Sequence, residues 1–185
     1  SDILIENDEI VEMSPQITDV QAKIINAEGL IVAPGFIDMH NHADLNVVEA
    51  NEALPFIKQG LTTITAGMCG IGIAPANDKV KDYYYNFASK AFCSNPKLYD
   101  NYGLLFEDLE KKGVGINLCF FIPQGNIRAC ALGTESRDPT ENELEKMKQI
   151  VEENMKAGAF GMSTGLVYPS GSESLTDVLI ELSKV

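Results

Sequence analysis

The sequence predicts an α/β protein: a short β-rich opening, then a parallel sheet whose strands are joined by helices. Three observations predict it. Up to residue 32 the apolar residues fall in short strand-like runs broken by polar turns. From Pro34 onward, β-branched and aromatic runs alternate with amphipathic helical stretches, an order that calls for helical crossovers between parallel strands. No internal repeat or low-complexity linker interrupts that alternation. Two architectures satisfy it, an open doubly wound sheet and half of an eight-fold barrel. A complete barrel takes about 250 residues, and the chain has 185.

Taken in order, Ile3-Leu4-Ile5 and Ile10-Val11 predict a hairpin turning at Asn7-Asp8. Ile24-Ile25 and Leu30-Ile31-Val32 are two further strand candidates around the turn-like Asn26-Ala27-Glu28-Gly29. Phe36 to His40 reads as a strand, Asn51 to Gln59 as a helix closed by Gly60, and Leu61 to Ala66 as a Thr-rich strand. Asp78 to Lys90 is helical in character, and so is Asn101 to Lys112, closed by Gly113. Val114 to Phe121 is a buried strand. The strongest helix is Glu141 to Ala157. Thr140 and Glu143 form a capping box, the apolar stripe is Leu144, Met147, Ile150, Val151 and Met155, and Gly158 is the C-cap. Ala159 to Ser163 is a short strand, and Thr176 to Val185 a helix capped by Ser174.

Composition excludes several classes of function. The chain carries 27 acidic against 14 basic residues, a net charge of −13. It lacks the basic footprint that phosphate backbones or anionic membrane surfaces require. No apolar run approaches the ~18 residues of a spanning helix. The opening Ser1-Asp2-Ile3-Leu4 has no signal-peptide pattern, and the reading is cytoplasmic. The cysteines, Cys69, Cys93, Cys119 and Cys130, form no C-x-x-C pair. Cys93, Cys119 and Cys130 read as core or reduced surface thiols, and Tyr83-Tyr84-Tyr85 as helix packing.

Three segments carry chemistry. Asp38-Met39-His40-Asn41-His42 holds both histidines of the chain. On a strand, residues 38, 40 and 42 share a face. At the C-terminal strand end, where loops of parallel α/β proteins converge on a site, two imidazoles suit Zn²⁺ at ~2.0–2.1 Å. Alone, H-x-H balances metal binding against a polar strand end satisfied by water; the preceding Ala33-Pro34-Gly35-Phe36-Ile37 tips it toward metal. Thr62 to Gly72 is a strand ending in a Gly-rich turn with Cys69 at its tip, where a thiolate reaches a metal. Neither phosphate-loop pattern is present there. Gly161 to Pro169 is a strand end and a small-residue loop. Ser163 has no histidine left to activate it as a nucleophile, so Ser163 and Thr164 read as polar lining. Tyr168 reads as a substrate contact, with loop packing as the alternative.

On these residues the chain resembles the amidohydrolase superfamily. Ala33 to His42 looks like its first barrel strand. Gln59-Gly60-Leu61-Thr62-Thr63 with Gly67-Met68-Cys69-Gly70, Phe121 to Arg128, and Gly161 to Pro169 are similar to the D-aminoacylase branch. The resemblance implies a partial TIM-type (β/α)8 barrel, holding about the first four β/α units over residues 33–185. Residues 1–32 would be part of a flanking β-sandwich. It implies one or two Zn²⁺ ions, with His40 and His42 at one position and Cys69 at the other or bridging both. The fourth barrel strand has no lysine for a bridging carboxylate, which favours the cysteine-type branch.

The implied activity is hydrolysis of N-acyl-D-amino acids, small-molecule substrates, to a carboxylate and a free D-amino acid. The family's further histidines and its general acid–base aspartate are expected downstream, so the chain reads as an N-terminal fragment that is inactive alone. Two alternatives stand beside this: a related enzyme acting on cyclic amides, and a non-catalytic fragment that self-associates through its incomplete barrel.

Overall fold

The computed structural model describes residues 1–18, 21–85, 90, 95–172 and 174–185. They form two compact units, Ser1–Pro34 and Gly35–Val185.

In the first unit, β1 (Asp2–Glu6) pairs antiparallel with β2 (Glu9–Ser14). Asn7 and Asp8, at φ 47° and 69°, make the turn. Two left-handed residues give the tight connection whose twist matches a hairpin, and Asn and Asp tolerate that region best among non-glycine residues. The two further strands expected at Ile24-Ile25 and Leu30–Val32 do not form. The turn between them does, through the Leu30 amide donating to the Ala27 carbonyl at 3.0 Å. The flanking residues meet no ladder partner among the described residues, and a strand exists only by pairing. Ile24 and Ile31 are accordingly exposed.

The second unit is built on a parallel four-stranded sheet in the order β3 (Phe36–Asp38), β4 (Leu61–Ala66), β5 (Asn117–Pro123), β6 (Gly161–Ser163). Between β3 and β4 lie α1 (Asp44–Val47) and α2 (Leu54–Ile57). The single helix expected over 51–59 is shortened because Ala53 takes a left-handed φ of 51°. After β4 come α3 (Asp78–Tyr83) and α4 (Tyr102–Lys112). Residues 86–89 of the first predicted helix, and Cys93, lie outside the described residues. Asn101 caps α4 by accepting the Leu104 amide at 3.0 Å, and Gly113 at φ 72° ends it.

β5 starts at Asn117 rather than Val114. The chain before it is drawn against another segment, where the Gly115 amide donates to the Asn51 carbonyl at 2.8 Å. A Cβ on Gly115 would lie 2.5 Å from the Glu52 carbonyl oxygen. α5 (Gln124–Leu132) was not expected from the sequence. All nine of its residues are buried, so it has no polar face to reveal a helical period. α6 (Glu141–Lys156) carries the predicted capping box in full. After β6, α7 (Pro169–Ser172) precedes α8 (Thr176–Leu182). Leu175, not Ser174, is the N-cap of α8; the Ser174 hydroxyl instead accepts from Gln124 Nε2 at 2.5 Å.

The main core lies between sheet and helices, where Ala66, Phe120 and Ile122 of the strands meet Leu105, Met147 and Val151 of the helices. Tyr83 and Tyr84 are buried in it or beside it, while Tyr85 is 49% exposed. Cys130 is buried, Cys119 half-buried, and both are free thiols. No described helix is long and apolar enough to cross a membrane.

Candidate metal centre

The four parallel strands end side by side at Asp38, Ala66, Pro123 and Ser163. Every candidate from the sequence lies at or beyond that edge. The histidines do not sit on β3 as expected. The strand stops at Asp38 because its carboxylate accepts the His40 amide at 3.1 Å and Asn41 Nδ2 at 3.0 Å. This Asx-type clamp bends the chain out of the ladder. Asn41 Oδ1 in turn accepts the Ala43 amide at 2.6 Å. Thr65 of β4 donates to the Asp38 carbonyl at 3.3 Å, tying the bend to the neighbouring strand.

The bend brings the two imidazoles together, ring centroids 5.9 Å apart with planes at 68°. From the end of β4, Cys69 reaches the same place: its Sγ lies 3.1 Å from His40 Nε2. One ligand atom from each of His40, His42 and Cys69 lies within 4.8 Å of the other two. In a tetrahedral zinc site, N and S ligands at ~2.0–2.3 Å from the ion sit about 3.4–3.6 Å from each other. Two imidazoles and a thiolate are a donor set that suits zinc, and this arrangement fits one.

The electrostatics fit as well. Burial, then the neighbouring His40, lowers the pKa of His42, keeping the ring neutral and able to ligate. The Asn41 side chain, then the His40 amide, lowers that of Asp38. It stays an anion that holds the bend.

Cys69 stands in the left-handed region, at φ 57°, between Gly67 at 73° and Gly70 at 71°. Ser163, expected to line a substrate space, is only 8% exposed. Its hydroxyl donates to the Gly67 carbonyl at 2.5 Å and accepts the Gly70 amide at 3.1 Å. The hydroxyl thus bonds both arms of the cysteine turn. Tyr168 is half-buried and packs on the main core, following the loop in which its amide donates to the Gly165 carbonyl at 3.1 Å.

Two more residues at the turn were not singled out from the sequence. Asn126 of α5 donates to the Gly72 and Pro75 carbonyls at 2.7 and 3.1 Å. Asp44, two residues after His42, is 1% exposed. Burial pushes its carboxyl up to about 7, against the nearby amides of Gly67 and Ile73, which pull it down. Neither amide meets a carboxyl oxygen in hydrogen-bond geometry. The acidic residue just past H-x-H was a visible signal for Asp44; Asn126 lies in the Phe121 to Arg128 stretch that carries the family resemblance, but no role was legible for it.

A parallel α/β sheet with nitrogen and sulfur donors gathered at its C-terminal edge defines the class, that of α/β proteins whose loops converge on a donor set able to hold a divalent cation. No family model matches the sequence. The chain is 33% identical over 161 residues to N-acyl-D-glutamate deacylase of Alcaligenes xylosoxydans xylosoxydans, spanning 87% of this chain and 32% of that protein. A D-aminoacylase with a binuclear metal centre superposes with a TM-score of 0.73 at 26% identity, over 82% of this chain and 31% of that one. The N-acyl-D-glutamate deacylase of Bordetella bronchiseptica, solved with zinc and a phosphonate mimic of the tetrahedral intermediate, gives 0.72 at 32% identity, over 80% and 31%. The chain thus belongs to the D-aminoacylase branch of the amidohydrolases. It spans about a third of the length of the curated relatives it matches.

Proposed function

We propose that this chain is the metal-holding part of a zinc-dependent hydrolase that deacylates N-acyl-D-amino acids. In this reading β3 to β6 are the first four strands of a (β/α)8 barrel, residues 1–32 belong to a flanking β-sandwich, and one or two ions bind at the barrel mouth. The observation that carries it is the convergence of His40, His42 and Cys69 ligand atoms within 4.8 Å, in a chain whose relatives at 33% and 32% identity are deacylases of N-acyl-D-amino acids.

His40 and His42 would ligate as neutral imidazoles, and Cys69 as a thiolate whose charge offsets that of the cation. Zinc bound there supplies Lewis acidity for an amide carbonyl and brings the pKa of water toward ~7. The protein's own contribution is placement. Asp38 fixes the backbone that carries both histidines, and the glycine turn fixes the sulfur. Tyr168, on the loop beyond β6, is the residue of this chain that we assign to substrate contact.

The test uses the protein that carries this chain. Zinc per molecule and hydrolysis of N-acetyl-D-amino acids are measured for the wild type and for Cys69→Ala, with hydantoins and dihydropyrimidines as competing substrates. Loss of zinc and of D-amino-acid release in the variant is the expected result. Unchanged zinc content and turnover would remove Cys69 from the site, and preference for the cyclic amides would move the activity to that class.

A further inference from the structure

The structure assigns Ser163 a positioning role: its hydroxyl spans Gly67 and Gly70 and so locks the left-handed turn that aims the Cys69 sulfur at the histidines. This rests on the metal reading above and adds to it a residue that need touch neither metal nor substrate.

The argument starts from the cost of the turn. Cys69 has a Cβ and stands at φ 57°, a region non-glycine residues occupy only when their surroundings hold them there. Within the turn one backbone bond supports it, the Ile71 amide donating to the Met68 carbonyl at 3.1 Å. The remaining hold comes from outside. Ser163 meets a carbonyl two residues before Cys69 and an amide one residue after it, so one hydroxyl fixes both arms of the turn.

Topology sharpens the point. β6 is two places from β4 in the sheet. In a flat sheet that is about 9.5 Å between strand axes, beyond the reach of a serine side chain. The curl of the sheet and the turn after β4 must therefore together bring the cysteine turn past the end of β5 to β6. Backbone contacts agree with this: a Cβ on Gly70 would lie 3.0 Å from the Gly165 nitrogen, and one on Gly165 would lie 1.9 Å from the Cys69 carbonyl oxygen. Ser163 sits where the two segments meet. Its proton goes to the Gly67 carbonyl, leaving its lone pairs to accept the Gly70 amide, so both of its partners are backbone groups of the cysteine turn.

Cobalt substitution of the protein that carries this chain tests the assignment. A thiolate bound to Co²⁺ gives a sulfur-to-metal charge-transfer absorption that imidazole ligands do not. The wild type is expected to show the band and Cys69→Ala to lack it. Ser163→Ala should lose most of the band per bound cobalt and bind the ion roughly tenfold more weakly, in the range found when partners of metal ligands are removed. Ser163→Thr, which keeps the hydroxyl, should restore both. A serine that merely stabilised the fold would lower the melting temperature and leave the band per bound cobalt unchanged. If Ser163→Ala does not fold, Ser163→Thr against Ser163→Val makes the same comparison at matched shape. Wild-type band intensity in the alanine or valine variant overturns the positioning role alone. A wild type that binds cobalt without the band overturns the thiolate ligand itself, and the positioning role with it.

Discussion

Gly165→Ala is the sharpest steric probe of the site, because the clash it creates falls on the backbone of Cys69. The added methyl would lie 1.9 Å from the Cys69 carbonyl oxygen, 2.6 Å from its carbonyl carbon and 2.9 Å from Tyr168 Cδ2. The ring can swing away, but the carbonyl belongs to a turn fixed by Ser163 and Asn126. Ordinary contact begins near 3.4 Å, so the two backbones must part by roughly 1 Å or more, and overpacking of this kind costs ~1–3 kcal/mol. For a protein of 150–250 residues that corresponds to a melting temperature lower by roughly 2–12 °C. Gly165 is not among the glycines of positive φ, so the whole effect is steric. Gly113→Ala is the matched control. It meets nothing within 4 Å but stands at φ 72°, so it carries conformational strain without touching the turn. Thermal unfolding with and without zinc, together with zinc affinity by chelator competition, reads the result. Gly165→Ala should lose both stability and zinc affinity, Gly113→Ala stability alone. Wild-type zinc affinity in Gly165→Ala, with its stability lowered, would refute the coupling between the 163–168 loop and the Cys69 turn.

Two further predictions concern the scaffold. Thr140→Ala removes the hydroxyl that accepts the Glu143 amide at 3.3 Å and should cost ~1 kcal/mol in urea unfolding while leaving zinc affinity unchanged. Asp108 gives a pH dependence. The Tyr99 hydroxyl, then Lys97, lowers its carboxyl from the ordinary 3.8 to about 2. Between those values the unfolded chain holds more protons than the folded one, so stability rises with pH there. The contribution is complete above 3.8 and is lost as the pH falls through about 2. Asp108→Asn should therefore be less stable than the wild type near neutrality, and the gap should close in acid unfolding series as the pH nears 2.

Features written in local residue order were legible in the sequence. The hairpin turn at Asn7-Asp8, the capping box of α6 and β4 from Leu61 to Ala66 depend on neighbours within a few positions, and the structure has them at those residues. The two histidines were legible as a pair for the same reason. What was not legible depends on distant chain. β3 was read as running to His40 because alternation alone cannot show that an aspartate will capture the next amides. α5 escaped because a helix buried on all sides has no period. The partners of Ser163 could not be read because they lie 93 and 96 residues away. The role of Asn126, bound to carbonyls 51 and 54 residues distant, was unreadable on the same ground.

The two halves of the donor set are thus held by different physics. His40 and His42 are placed by their own neighbourhood: Asp38 and Asn41 close hydrogen bonds over two or three residues, and one strand of the sheet anchors the bend. Cys69 has one local bond across its turn, from the Ile71 amide to the Met68 carbonyl, and no side-chain clamp from its chain neighbours among the described residues. Its left-handed turn is completed by Ser163 from β6, by Asn126 from α5 and by the close passage of Gly165, all of them later in the chain than the β5 strand. The nitrogen side depends on contacts of β3 and β4, whereas the sulfur side depends also on contacts from α5, β6 and the loop beyond it. A perturbation beyond β5 should therefore reach the Cys69 sulfur first and spare the imidazole pair. Mixed loss of sulfur and nitrogen ligation in equal measure, on substitution at Ser163 or Gly165, is the outcome that this division of labour forbids.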